Sequence, residues 1–146
     1  MLNKRKSVTV VILFVLGLSL VLTATVFAVG LQTRLTGAEE APGPGDPDGS
    51  GRVELRINVD KRKVCWKLRV HNIAPATAAH IHVAEAGVAG PVVIGLSAPT
   101  NGASSGCATN VDRDLLAAIT HHPEDYYVNV HNADYPAGAV RGQLGW

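Results

Sequence analysis

Aromatic residues make up only 5% of this 146-residue chain, with two Phe, two Trp and three Tyr. A core must therefore be built mainly from Val, Leu, Ile and Ala. Charge of one sign is also missing: 13 Lys+Arg stand against 12 Asp+Glu, a formal net charge of +1. Three of the cations, Lys4, Arg5 and Lys6, sit in the first six residues, and without them 10 basic residues face 12 acidic ones. That balance excludes a strongly basic nucleic-acid binder and offers no electrostatic case for a polyanionic partner. There is no G-x-S-x-G, no phosphate-cradling glycine loop, no H-E-x-x-H and no C-x-x-C. No carboxylate pair forms an acid/base couple, since Asp112 and Asp114 fit a helix start and its dipole. Internal repeats are absent, and the length suits one domain.

The one long hydrophobic run is N-terminal. Lys4-Arg5-Lys6 precedes an apolar stretch from Val8 to Leu22, broken only by Thr9, Gly17 and Ser19. Val26-Phe27-Ala28 provides a small residue at a cleavage position, so residues 1–28 read as a signal peptide. An uncleaved anchor to about residue 30 is the alternative, because Val8 to Val29 counts 22 residues, enough to span a bilayer. Either way the basic cluster stays inside and the remainder lies outside the membrane, the segment itself being the chain's only membrane contact. The first Cys is Cys65, too far on for a lipid anchor after the apolar run. In an oxidising compartment Cys65 and Cys107 are expected to pair, with two buried free thiols as the alternative.

The exported part alternates with period two. Leu31, Thr33 and Leu35 open a first strand. Val53, Leu55, Ile57 and Val59 alternate with Arg52, Glu54, Arg56 and Asn58. After a turn at Asp60-Lys61-Arg62-Lys63, Val64, Trp66, Leu68 and Val70 alternate with Cys65, Lys67 and Arg69, which completes a hairpin with one wet face. Lys61, Arg62, Lys63, Lys67 and Arg69 read as a solvated strand face and turn, with Glu54 and Asp60 nearby. Further strands are expected at residues 79–83, 91–96, around Cys107, at 126–131 and at 140–144. Pro/Gly/Asp-rich turns at 41–51 and loops at 72–78, 84–90 and 99–105 join them. Asp112 is the expected N-cap of one short helix through Leu115, Leu116 and Ile119, ended by Pro123. The pattern predicts an all-β fold, an antiparallel Greek-key sandwich or barrel with one short helix.

His80-Ile81-His82 is the most informative short motif. On a strand, i and i+2 share a face roughly 6.5–7 Å apart, so two imidazoles can grip one ion. In Tyr127-Val128-Asn129-Val130-His131, Val128 and Val130 take the apolar face and leave His131 on the polar one. His80, His82 and His131 are thus candidate ligands for copper or zinc; hydrogen bonding to loop carbonyls is the alternative use of the same rings. Arg141 and Gln143 are expected on the polar face of the last strand. His71 is a possible fourth ligand, and His121 and His122 are expected on the surface. Trp66 belongs to the core, while Tyr126 and Tyr127 should divide between the core and the polar face.

Three ordered segments carry a family likeness. Leu35-Thr36-Gly37-Ala38-Glu39-Glu40-Ala41-Pro42, then Ala79-His80-Ile81-His82 with Gly87 and Gly90-Pro91-Val92-Val93, then Tyr127 to His131 with Pro136-Ala137-Gly138-Ala139-Val140-Arg141-Gly142-Gln143-Leu144, resemble the motifs of the CHRD domain, named after chordin. Ala41 replaces a usual Val, and Ala139 a frequent Glu. The resemblance runs from about residue 31 to 144, with residues 31–146 taken as one domain, and implies an all-β extracytoplasmic binding or structural module. Its ligand or protein partner is not specified, and no catalysis is implied. A second segment pattern is similar to copper/zinc superoxide dismutase: an H-x-H strand, a Gly loop, a late V-x-V-H strand and a final Arg-containing segment. That likeness implies copper ligation by His80, His82 and His131, anion guidance by Arg141 and redox activity. The pattern departs from that family in lacking a bridging His and a zinc set, so it implies at most a copper-only site.

Overall fold

A computed structural model describes residues 28–146. The expected targeting segment, with Lys4, Arg5 and Lys6 and the choice between cleavage and anchoring, lies outside the described residues. The described residues form eight strands: β1 Val29–Thr36, β2 Ser50–Asn58, β3 Lys63–His71, β4 Ala76–Val83, β5 Val92–Leu96, β6 Ala103–Ala108, β7 Tyr126–Asn132 and β8 Val140–Gln143. Among the described residues the single α-helix, α1, spans Arg113–His121. All strands join one antiparallel sheet in the order β5-β4-β7-β8-β1-β2-β3-β6, rolled into a nearly closed barrel. Among the described residues no helix is long and apolar enough to cross a membrane.

The alternation read from the sequence becomes inside and outside. Leu31 and Leu35 of β1, Val53, Leu55 and Ile57 of β2, and Val64, Trp66, Leu68 and Val70 of β3 point into the core. Ile81, Val128, Val130 and Val140 complete it from the other half of the barrel. Burying a Leu or Ile side chain fully contributes roughly 1.5–3 kcal/mol, so a barrel poor in aromatics is held by many aliphatic contacts. In α1 the Asp112 carboxylate accepts from the Leu115 backbone N–H at 2.9 Å, as an N-cap should. Leu116 and Ile119 on its inner face are fully buried in the barrel core. Arg62 is exposed in the turn, as expected, and also donates to the Val111 carbonyl at 3.0 Å, which ties the β2–β3 turn to the start of the helix segment.

Cys65 and Cys107 form a disulfide between directly opposed residues of β3 and β6, with Cα atoms 4.0 Å apart. It fastens β6, one edge of the sheet, to its only strand partner.

The outer surface of the barrel has two different halves. Over β1, β2, β3 and β6 the outward side chains meet solvent: Arg34, Arg52, Glu54, Arg56, Lys67 and Arg69 are all exposed. Over β4, β7 and β8 the outward side chains are roofed by loops. Tyr127, Asn129 and Arg141 are 3%, 2% and 1% exposed although they point away from the core. This roofed polar face holds the histidines.

Candidate metal centre

His80 and His82 project from the same side of β4, and β7 is its antiparallel neighbour. The register sets Ala78 opposite His131, His80 opposite Asn129 and His82 opposite Tyr127. His131 is therefore the diagonal neighbour of His80, near enough for long side chains to touch. The ring centroids are 5.0 Å apart for His80 and His131, 5.5 Å for His80 and His82, and 6.3 Å for His82 and His131. One nitrogen from each ring lies within 4.8 Å of one from each of the others.

Carbonyl groups fix two of the rings. His82 Nδ1 lies 2.8 Å from the Gly90 carbonyl oxygen, and His131 Nδ1 lies 3.0 Å from that of Pro136. A carbonyl can only accept, so each Nδ1 carries the proton and each Nε2 keeps a lone pair. His82 Nε2 is buried and has no hydrogen-bond partner. His131 Nε2 faces His80 Nδ1 at 3.1 Å. Two nitrogens bound to one ion at about 2.0–2.1 Å stand roughly 3 Å apart, so this separation suits a shared ligand point. Burial, followed by repulsion from His131 and His82, lowers the His80 pKa from 6.5. Burial also lowers that of His131, against the opposing bond to Pro136. Both effects favour the neutral rings that a metal requires.

The surroundings lock this arrangement. Gly90 has no room for a side chain: a Cβ there would sit 1.9 Å from the Val83 carbonyl oxygen. Its backbone thus presses against β4 and presents its carbonyl to His82. The Gly90 N–H donates to the Tyr127 hydroxyl at 3.1 Å. Tyr127 stacks on His82 with centroids 4.7 Å apart and planes 7° from parallel. From the β8 side the Arg141 guanidinium lies 3.4 Å from the centre of the same ring. Tyr126 enters the core, so the two tyrosines divide as expected.

Arg141, expected to guide anions, is enclosed. It donates to the carbonyls of Val88 at 2.8 Å and Glu85 at 3.0 Å, and to Gln143 Oε1 at 3.2 Å. Gln143 in turn donates to the carbonyls of Ala84 and Glu124, each at 2.7 Å. Together they stitch the 84–90 loop over the histidines. A side chain that is 1% exposed and held by these three bonds offers almost no surface to an anion in solvent.

Beyond Arg141 lies Glu40, which the sequence offered only as part of a motif. The Arg141 charge, the Ala41 backbone and the Asn129 side chain all favour its carboxylate, yet burial outweighs them and raises its pKa from 4.5 to about 7. Gly138 adopts φ +152°, and a Cβ on it would overlap the Glu40 carboxylate. No short-range pattern links residue 40 to residues 129, 138 and 141. His71 is exposed at the end of β3, opposite Ser50 and in the other half of the barrel, and does not join the cluster. His121 and His122 are exposed beside the helix end.

The three segments that carried the likeness meet here. Residues 35–42 supply Glu40, residues 79–93 supply two imidazoles and Gly90, and residues 127–144 supply His131, Tyr127 and Arg141. No curated protein and no solved structure matches the chain. The family model of the CHRD domain matches residues 31–144. That span is nearly all of the described chain and contains every residue of the centre, so the chain belongs to the CHRD domain family.

Proposed function

We propose that this chain is an extracytoplasmic binding module that holds one transition-metal ion, copper before zinc, through His80 Nδ1, His82 Nε2 and His131 Nε2. The observation that carries this reading is His82 Nε2, a buried acceptor with no partner, facing two other imidazole nitrogens. Leaving such a group unsatisfied costs roughly 1–3 kcal/mol, which an ion would offset. Imidazole suits both copper and zinc, and among divalent ions copper binds a given nitrogen site most tightly. Three protein ligands leave a position for water or a small exogenous ligand. The extracytoplasmic placement rests on the CHRD family, the disulfide and the N-terminal basic–apolar pattern.

In this reading the Gly90 and Pro136 carbonyls orient the ligands and raise their basicity, while Arg141 and Gln143 keep the loop closed over them. The likeness to dismutases extends no further than the ligand set. The experiment is to load the oxidised protein with Cu(II), dialyse it and count metal per chain. One copper per chain is expected, lost in His80→Ala and in His131→Ala with the circular dichroism unchanged. Metal-free protein after loading would overturn the reading.

A further inference from the structure

The solvated hairpin face becomes a different object once the strands are paired. The β1–β2 register sets Arg34 opposite Arg52, and the β2–β3 register sets Arg52 opposite Arg69. Three arginines therefore stand abreast across three neighbouring strands, roughly 4.8 Å from strand to strand. Two residues along β2 the next rung is Gln32, Glu54 and Lys67, and the rung after that carries Arg56. Glu54 is the sole carboxylate among these side chains, and it pairs with Arg52 at 3.6 Å. Arg52 also donates to Gln32. The other ion pairs among the described residues, Arg113–Asp60 and His122–Glu124, lie elsewhere. Arg34, Arg56, Lys67 and Arg69 are exposed and take part in none of these ion pairs, although Lys67 stands across the ladder from Glu54.

Like charges placed directly opposite on one sheet face are destabilising. The fold accepts that cost in three adjacent strands, although the chain as a whole is nearly neutral. The cationic face also has relief. A hollow of about 240 Å³ runs between Arg52, Glu54, Lys67 and Arg69. A second of about 430 Å³ continues from Lys67 and Arg69 to Ser104 and Ser105. At the other end Trp146, 72% exposed, borders a depression with Gln32, Glu54 and Arg56.

We propose that this face binds an anionic polysaccharide, a linear polymer of uronate or sulfated sugars. Its anions would lie along the Arg34–Arg52–Arg69 row and Lys67. Glu54, Gln32 and Ser105 would exchange hydrogen bonds with sugar hydroxyls between the charges. Trp146 would stack on a sugar ring, as an exposed indole with one free face can. An anionic lipid surface fits less well. It would bring a dense sheet of negative charge against Glu54, and Trp146 is the sole large exposed apolar side chain here, Val88 and Val92 belonging to the opposite half. The inference is independent of the metal centre.

The experiment is calorimetric titration of the full chain with heparin and with polygalacturonate at rising salt. Neutral dextran, and vesicles of phosphatidylglycerol or of phosphatidylcholine, serve as comparisons. Expected is binding to at least one acidic polymer that weakens with salt, falls about tenfold or more in R52E/R69E, and falls severalfold in W146A. R34Q/R69Q, which leaves no like charges directly opposite each other in the row, keeps the test open should the charge-reversed variant fail to fold. K61E, in the turn off the face, should change little. The proposal is overturned if neither polymer binds, if binding survives R52E/R69E and R34Q/R69Q, or if dextran binds equally well. Salt-sensitive binding to phosphatidylglycerol alone, lost in those variants, would also overturn it and assign the face to lipid.

Discussion

His80 Nδ1 and His131 Nε2 stand 3.1 Å apart although 51 residues separate them in the chain. Neither is the other's strand-to-strand partner. They meet on the diagonal of the β4–β7 ladder, under a loop that Arg141 and Gln143 tie down. The consequences of that roof are open to measurement.

Gly90→Ala should weaken copper binding without touching a ligand. The added methyl would force residue 90 away from the Val83 carbonyl, and with it the acceptor of the His82 Nδ1 proton. Loss of such an orienting partner costs about 10–100-fold in metal affinity. Competition titration with a copper chelator reads this directly, and unchanged affinity in a folded variant would show that the Gly90 carbonyl does not set the ring.

Arg141→Ala should destabilise the protein by roughly 2–4 kcal/mol, because a side chain 1% exposed is removed and the Val88 and Glu85 carbonyls lose the donor that ties their loop down. Arg141→Lys should recover only part of this, since one ammonium cannot reproduce the planar fork that spans both carbonyls. Urea denaturation measures both. A cost below about 0.5 kcal/mol, the ordinary scale of a surface change, would mean that the loop is held by other contacts.

Glu40 makes stability depend on pH. Its pKa is raised from 4.5 to about 7, so the folded protein keeps a proton that the unfolded chain releases. Between those values the folded state binds more protons. The stabilising contribution is complete below pH 4.5 and is lost as pH rises through about 7. Glu40→Gln stays neutral throughout and should flatten the stability profile between pH 5 and 8. Denaturation curves at the two ends test it, and an identical slope in wild type and variant would remove Glu40 as the cause.

Reducing the disulfide, or replacing Cys107 with Ser, should lower stability by up to roughly 4 kcal/mol on the chain-entropy account of a loop of this size, with a sequence separation of 42 residues. Copper binding should persist wherever the variant remains folded, because β3 and β6 belong to the half of the barrel away from the histidines. Thermal melts with and without reductant, paired with metal content, separate the two effects. Proportionate loss of copper from folded, reduced protein would contradict that separation.

Much of the fold was legible because the strand period is local. Val53, Leu55 and Ile57 on one side and Arg52, Glu54 and Arg56 on the other declare both the strand and its wet face within seven residues. Asp112 declares the helix start in the same way, and the alternation in Tyr127–His131 already put His131 on a polar face. Glu40 was not legible in this sense. Its neighbours Asn129, Gly138 and Arg141 come from the far end of the chain, and an acidic residue in a Gly/Pro-rich stretch reads as solvated until tertiary packing buries it.

Residue order alone determined which side chains turn inward and that three histidines avoid the core, since a side chain's face depends only on its own strand. Which strands lie together, and in what register, was decided by closure of the barrel around its aliphatic core. That choice brought His131 to His80, shut Arg141 away from solvent, and lined up Arg34, Arg52 and Arg69. Net charge concealed this last row, because summing over the chain discards position, and electrostatic energy depends on position.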